Sequence, residues 1–266
     1  MHNIPSPSLT RLAATLAVSM DIEAPSQADK PLDALTECLK FLCGGAPRRV
    51  LLHNPDALAA HLLRDFPDKY RELRLRTRFA QPFTAVIPSV TPVCFGTMYT
   101  GALPEVHGIR SYTKPVITID TLFDALLRAG KKPAIVAISD SSMSKIFLQR
   151  KLDYFFVSDD SAAVETACRL LTEDRHDFIA CYTCAFDDVM HRYGIHSPRA
   201  LEALDGQLAA FSQLYDTAQA VWRGVPSLVG MCTDHGVHDE APGKGAHGSD
   251  MPEDLRIIHF FGGWEA

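Results

Sequence analysis

Carboxylates and imidazoles recur in short clusters along the second half of this 266-residue sequence. His191 stands four residues after Asp187, so on a helix both side chains share one face and can chelate one ion. His235 follows Asp234 directly in the segment TDHG, where Gly236 permits a sharp turn. Carboxylate and imidazole donors suit Zn²⁺ or Mn²⁺ better than Ca²⁺ or Mg²⁺, which prefer oxygen ligands. The spacing therefore predicts transition-metal binding.

Two further residues extend this candidate metal site. Asp56 follows the apolar segment RVLLHN, and His247 lies in the Gly-rich segment KGAHGSD, twelve residues after His235. Taken singly, each of these residues has an ordinary structural role as a helix cap, a turn former or part of a solvated face. Several of them follow different predicted strands, however, and independent turn formers need not converge. Their combination favours a metal site.

A threonine precedes a proline at the start of a predicted helix in the segment SVTPVCFG. The structural explanation is that Thr91 caps the helix and Pro92 occupies its first position. The functional explanation uses the same geometry, because a helix N-terminus attracts phosphate. Val93 and Cys94 are the predicted backbone donors there, since proline has no N–H. A divalent metal at the Thr91 oxygen would lower the pKa of the hydroxyl and make it a nucleophile.

The elements that must hold these residues alternate between apolar strands and amphipathic helices. The predicted strands are RRVLLHN, FTAVIPS, PAIVAIS, YFFVS, DFIACYTCAF, SLVGMCT and RIIHFFG. Continuous apolar strands separated by helices indicate an α/β fold with a mainly parallel central sheet and helices on both faces. We expect residues 1–45 to be an N-terminal helical extension and residues 46–266 to form the catalytic domain. Ligands of such folds bind beyond the carboxyl ends of the strands.

Composition narrows the class of protein. The formal net charge of −6 disfavours a nucleic-acid polymer as partner, and no apolar run approaches the length of a membrane span. Seven scattered cysteines, an odd number, favour reduced thiols and a cytoplasmic location. Nothing in the sequence decides whether the protein forms homo-oligomers.

The segment SVTPVCFGTMYTGALPEVHGI resembles the nucleophile segment of the type I phosphodiesterase/nucleotide pyrophosphatase family of the alkaline phosphatase superfamily. The later segments FDDVMHRYG, TDHG and GAHG resemble the metal motifs of that family in the same order. The resemblance extends from about residue 49 to the C-terminus. It implies an alkaline-phosphatase-like fold, here without a large cap domain.

The resemblance also implies a site with two divalent metal ions, Zn²⁺ or in some relatives Mn²⁺. One ion would be held by Asp187, His191 and His247. The other would be held by Asp56, Asp234 and His235 together with the Thr91 oxygen. The family forms a phosphorylated or nucleotidylated threonine, which is then hydrolysed.

Substrate contacts are less well defined by the sequence. Nucleotide-cleaving members of the family carry an asparagine where this chain has Cys94, a weaker hydrogen-bond donor. Lys244, His196 and Tyr193 lie within or beside the metal motifs and are the other candidate substrate-binding residues. We expect a small-molecule phosphate ester as substrate.

Four functions remain open at this stage. Cleavage of phosphodiester or nucleotide pyrophosphate bonds through a phospho-threonine is favoured, because few basic residues lie near the motifs to meet the extra charge of a monoester. A phosphomonoesterase or a phosphonate hydrolase would use the same residues. A non-catalytic metal-binding module is the alternative from another class.

Overall fold

A computed structural model describes residues 6–240 and 243–266 of the chain. Within these residues a central sheet has seven strands in the spatial order β2-β9-β6-β1-β5-β3-β4. The strands are β1 (Arg49–Pro55), β2 (Phe79–Thr84), β3 (Pro133–Ile138), β4 (Asp153–Val157), β5 (Phe178–Thr183), β6 (Ser227–Met231) and β9 (Arg256–Trp264), and a small hairpin comprises β7 (His238–Asp239) and β8 (Gly245–Ala246). In the described sheet, only β9 pairs antiparallel with its neighbours. The predicted mainly parallel sheet is confirmed.

Helices cover both faces of this sheet. They are α1 (Leu12–Ser19), α2 (Asp33–Leu42), α3 (Ala60–Asp65), α4 (Arg71–Arg76), α5 (Thr91–Thr100), α6 (Pro104–His107), α7 (Leu122–Arg128), α8 (Ser142–Ile146), α9 (Asp160–Glu173), α10 (Ala185–Tyr193), α11 (Pro198–Val221) and α12 (Pro252–Leu255). Side chains alternate along β1, so Val50 and Leu52 join one apolar core and Leu51 joins the other. Helices α1, α5 and α7 bury side chains in the first core, and α9, α10 and α11 in the second.

The predicted N-terminal helical extension corresponds to α1 and α2, except that residues 1–5 lie outside the described residues. Leu12 and Leu39 are fully buried in the same core as Phe95 of α5. These helices therefore complete one face of the sheet. The division between residues 45 and 46 stays a prediction. In the described ranges no helix is both long and apolar enough to cross a membrane.

Two predicted strands have boundaries that differ from the structure by more than two residues. The segment FTAVIPS was predicted to be a strand, but β2 ends at Thr84 and a loop leads to Thr91. Ala85 N donates to Leu255 O, and the proline at position 88 has no N–H for a strand ladder. The predicted strand DFIACYTCAF also ends early, because α10 begins at Ala185.

Candidate metal centre

Three neighbouring strands deliver the candidate ligands to one edge of the sheet. Strand β1 lies between β6 and β5, and all three run in the same direction. Asp56 directly follows β1, Asp187 is the third residue of the helix after β5, and Asp234 comes three residues after β6. His247 directly follows β8 of the small hairpin. The carboxyl ends of the parallel strands therefore bring Asp56, Asp187 and Asp234 together, and the hairpin adds His247.

The first cluster is almost completely buried. Asp56, Asp234, His235 and Thr91 are each at most 3% exposed. His235 Nε2 lies 3.4 Å from Asp56 Oδ1 and from Asp234 Oδ2. The Thr91 hydroxyl donates to Asp56 Oδ2 at 3.3 Å and also lies 3.4 Å from His235 Nε2. His235 Nδ1 lies 3.0 Å from the carbonyl oxygen of Gly236, so we assign the ring proton to Nδ1.

The second cluster is partly open to solvent. Asp187 Oδ1 lies 3.4 Å from both His191 Nε2 and His247 Nε2, and the two Nε2 atoms lie 3.1 Å apart. The Nδ1 atoms of these rings face the carbonyl oxygens of Gly245 and Ser89, each at 3.0 Å. Since a carbonyl can only accept, both Nδ1 atoms carry protons and the Nε2 lone pairs point into the cluster.

Both clusters have the form of divalent-metal sites. Ligands about 2.0–2.2 Å from a tetrahedral zinc ion stand about 3.3–3.6 Å from one another, and most separations in the clusters are 3.4 Å. The buried oxygens Asp56 Oδ1, Asp234 Oδ2 and Asp187 Oδ1 have no hydrogen-bond partner in the described residues. Such atoms are costly to bury unless a cation compensates them. In each cluster the ligand atoms lie within 4.8 Å of one another.

Electrostatics lead to the same interpretation. Burial, followed by the charges of Asp234 and Asp187, raises the pKa of Asp56 well above its usual range. Burial also raises the pKa of Asp234. For His247, burial lowers the pKa to about 3, which leaves the ring neutral and its lone pair free at neutral pH. Asp234 and Asp187 repel the charge of Asp56 and His247 stays neutral, so bound cations would relieve the repulsion between the carboxylates.

Several supporting contacts were not predicted from the sequence. The hydroxyl of Tyr182, a buried residue of β5, donates to Asp56 Oδ2. Ala57 has a φ of +66°, uncommon for a residue with a Cβ, and its N–H donates to Asp234 Oδ1 at 3.2 Å. The hydroxyl of Ser89 accepts from Gly248 N at 3.2 Å, next to the carbonyl that accepts from His247. The position of Tyr182 in a strand leading to the site was the one available sequence signal.

The four residues predicted to contact substrate lie in different surroundings. Cys94 is fully buried, and burial raises the pKa of its thiol. Lys244 is exposed. His196 pairs with Asp239 at 3.1 Å, and the Arg199 guanidinium lies 4.4 Å from the centre of the Tyr193 ring. Among the described residues, no hydrogen bond joins the side chains of these four candidates to the two clusters. Their role in substrate binding stays a prediction.

The predicted anion donors at the helix start need correction. The N–H groups of Val93 and Cys94 both donate to the carbonyl oxygen of Val90 at 3.0 Å, so neither is free. Helix α5 begins at Thr91 with Val90 as its N-cap. In the described part of the chain, the N–H of Thr91 donates to no backbone carbonyl. The available donor at the tip is therefore that of Thr91 itself.

The sequence profile of the family "Type I phosphodiesterase / nucleotide pyrophosphatase" matches residues 50–261, most of the chain. The chain belongs to this family. A search of curated proteins found no significant match.

Solved structures agree with this assignment at the level of the fold. Murine ectonucleotide pyrophosphatase/phosphodiesterase 5 is 17% identical to the chain, with a TM-score of 0.58, and the match covers 73% of this chain and 58% of that one. Phosphonoacetate hydrolase from Sinorhizobium meliloti 1021, in complex with phosphonoacetate, is 17% identical, with a TM-score of 0.55 and coverage of 74% and 58%. The matches thus span under two thirds of these relatives' own lengths. A further structure is an inactive threonine-to-alanine variant of the murine protein in complex with AMP.

Proposed function

We propose that this member of the family is a two-metal phosphohydrolase that cleaves phosphodiester or nucleotide pyrophosphate bonds through a covalent phospho-threonine at Thr91. The observation that carries the proposal is the position of the Thr91 hydroxyl, 3.3 Å from Asp56 Oδ2 and 3.4 Å from His235 Nε2. This hydroxyl stands at the N-terminus of a buried helix, beside carboxylate oxygens that lack partners. A structural threonine would not need a neighbourhood of this kind.

The proposed metal ligands fall into the two clusters. Asp56, Asp234 and His235 would hold one ion next to Thr91, and Asp187, His191 and His247 would hold the other. Two divalent ions, with Zn²⁺ the first choice and Mn²⁺ the second, would lower the pKa of the hydroxyl and offset the charge of the phosphoryl group. The backbone carbonyls that accept from the three Nδ1 atoms keep each ring in the tautomer that presents Nε2.

The residues of the chain account for two displacement steps. In the first, the Thr91 hydroxyl gives up its proton to solvent and its oxygen forms a bond to phosphorus, while the bond from phosphorus to the leaving oxygen breaks and the leaving oxygen keeps the electron pair. Asp56 accepts the hydrogen bond of the Thr91 hydroxyl and so orients the oxygen for attack. The free N–H of Thr91 can donate to a phosphoryl oxygen. In the second step water cleaves the phosphorus–threonine bond, which restores the hydroxyl and releases the phosphoryl product.

Charge favours a diester over a monoester. Three carboxylates and three neutral imidazoles would leave a single positive charge once two divalent ions are bound. A diester carries one negative charge and matches this balance, whereas a monoester dianion would need another cation. The AMP complex of the murine relative supports a nucleotide as one part of the substrate.

Phosphonate hydrolysis is the second candidate, because the fold also resembles phosphonoacetate hydrolase. Both activities would use the same proposed nucleophile. They differ in the leaving group, which is an oxygen in an ester and a carbon in a phosphonate. Release of inorganic phosphate from phosphonoacetate would identify the phosphonate activity.

The test compares bis-p-nitrophenyl phosphate with p-nitrophenyl phosphate in the presence of Zn²⁺ or Mn²⁺. We expect turnover of the diester that is lost in Thr91→Ala and partly retained in Thr91→Ser, which keeps a hydroxyl. Diester turnover that persists undiminished in Thr91→Ala would refute the nucleophile. Metal binding without hydrolysis of esters or phosphonates would favour the non-catalytic binding module.

A further inference from the structure

Helix α10 carries two of the proposed metal ligands, Asp187 and His191, but its own N-cap provides no side-chain hydrogen bond. The carboxylate of Asp160, the first residue of α9, takes that place from a different helix. Asp160 Oδ1 accepts from Cys184 N and Oδ2 from Ala185 N, both at 2.9 Å. We propose that Asp160 is a positioning residue that sets the orientation of the ligand helix α10, an inference that rests on the proposed function.

The capping contact acts where the helix is most easily displaced. The first N–H groups of a helix have no partner within it, and a carboxylate at this end also interacts favourably with the helix dipole. Asp187 lies only two residues beyond Ala185, and His191 one turn further on the same face. A shift or rotation at the start of α10 would therefore displace both ligands together. Metal sites are sensitive to such changes in the groups that orient their ligands.

A chain of hydrogen bonds holds Asp160 in place. Gln207 Nε2 donates to Asp160 Oδ2 at 2.7 Å, while Gln207 Oε1 accepts from the hydroxyl of Thr183. Since that hydroxyl is used as a donor, the 2.9 Å contact between Thr183 Oγ1 and His53 Nε2 is a donation from His53. His53, Thr183 and Gln207 are each at most 2% exposed. The chain therefore links β1 and β5, which lead to both clusters, with α11 and the start of α10.

The neighbouring residue provides a matched control. Asp159 caps its own helix, accepting from Ala162 N at 2.9 Å, and in the described part of the chain it forms no hydrogen bond with α10. Asp159→Asn and Asp160→Asn thus make the same chemical change at adjacent positions. Only the change at Asp160 weakens the contact with the ligand helix. Any general effect of lost charge or of a weakened α9 appears in both variants.

The experiment measures metal binding rather than turnover. Metal-free wild type, Asp159→Asn, Asp160→Asn and Asp160→Ala are titrated with Zn²⁺ in a calorimeter, and urea unfolding establishes that each variant is folded. We expect wild type and Asp159→Asn to bind two ions. In Asp160→Ala we expect one of the two affinities to fall about 10–100-fold, the range typical of lost outer contacts of metal ligands. The Zn²⁺ affinity of Asp160→Asn, which keeps one acceptor oxygen, should lie between the affinities of wild type and Asp160→Ala. This variant provides the test if Asp160→Ala does not fold.

The failure of this inference is distinguishable from that of the proposed function. Folded Asp160 variants that bind both ions with wild-type affinity would overturn the positioning role and leave the two-metal site intact. The role would also be refuted if Asp159→Asn lost the same affinity as Asp160→Asn. A wild-type protein that binds no divalent ion would overturn the proposed function and this inference with it.

Discussion

The Nε2 atoms of His191 and His247 lie 3.1 Å apart, although both rings donate through Nδ1 to backbone carbonyls. Two imidazole lone pairs at this distance repel each other unless a cation or a proton lies between them. Asp187 Oδ1 lies 3.4 Å from His191 Nε2 and raises the pKa of His191, so a proton can take the place of the cation when no metal is bound. The pair thus has the arrangement of a metal site in which protons and metal ions compete.

Removing one ligand of the partly exposed cluster should remove one ion. We expect His247→Ala to bind a single Zn²⁺, because Asp56, Asp234 and His235 form a separate, buried cluster. Elemental analysis after dialysis measures the stoichiometry. His196→Ala is the control, since that exposed histidine pairs with Asp239 and should still allow two ions. Two ions retained in His247→Ala would contradict the ligand assignment.

Tyr182 should affect the buried cluster without altering the fold. Its hydroxyl donates to Asp56 Oδ2, and its ring packs edge-on against Phe95 with centroids 5.4 Å apart. Tyr182→Phe keeps the ring and removes the donor, so we expect metal affinity to fall about 10–100-fold at one site. Zn²⁺ titration checks this. Tyr154→Phe, which loses a hydrogen bond to Phe147 O outside the site, should bind as wild type; an equal loss there would refute a specific effect.

Stability of the metal-free protein should fall as pH decreases. Burial lowers the pKa of His53 to about 3 and of His107 and His259 to about 4. Unfolded histidines titrate near 6.5, so below this pH the unfolded state binds more protons and is favoured. Each histidine lowers the free energy of unfolding by up to about 1.4 kcal/mol per pH unit between about 6.5 and its folded pKa.

Urea unfolding between pH 7 and pH 5, with chelator present, measures this effect. The raised pKa values of Asp56 and Asp234 oppose the trend, because these buried carboxyls take up protons in the folded state. The decisive quantity is therefore the difference in slope between wild type and His107→Asn. We expect the variant to lose less stability on acidification, by about one proton's contribution. Identical slopes would show that His107 does not titrate as its burial predicts.

Two glycines should respond oppositely to alanine. A Cβ on Gly236 would overlap the carbonyl oxygen of Glu253, so Gly236→Ala should displace the turn beside His235 and destabilise the protein by about 1–3 kcal/mol or more. A Cβ on Gly206, within α11, meets no atom within 4 Å. Gly206→Ala should stabilise by about 0.5–1 kcal/mol, because alanine favours a helix interior. Urea unfolding compares both; a neutral Gly236→Ala would contradict the close approach.

Much of the candidate site was predictable because its residues follow strands. Asp56 and Asp234 come after apolar segments that are buried on both faces, and parallel strands of this kind present their carboxyl ends together. The i to i+4 spacing of Asp187 and His191 likewise predicted a shared helix face. The local sequence pattern was sufficient in these cases, because the position of each side chain depends on the strand that precedes it or the helix that contains it.

Contacts between distant segments were not predictable. Nothing local to Asp160 indicates that it caps a helix starting 25 residues later. The apolar composition of the loop before Thr91 predicts a strand, whereas the path of this loop depends on a backbone hydrogen bond from Ala85 N to Leu255 O. The burial of Cys94 and the bonded N–H groups at the helix start depend on tertiary packing in the same way.

The position of β9 at the end of the chain affects the order in which the sheet can form during translation. Among the described residues, β2 pairs with no strand other than β9, the last strand along the chain. β1 can pair with β5 and β6 before β9 is synthesised. β2, in contrast, has no partner strand until β9, which is distant in sequence, has been synthesised. During translation the strand β2, which leads to Thr91, therefore lacks its partner until β9 has been synthesised. The order of synthesis thus delays completion of the sheet on the side of Thr91 until the proposed metal ligands have been synthesised.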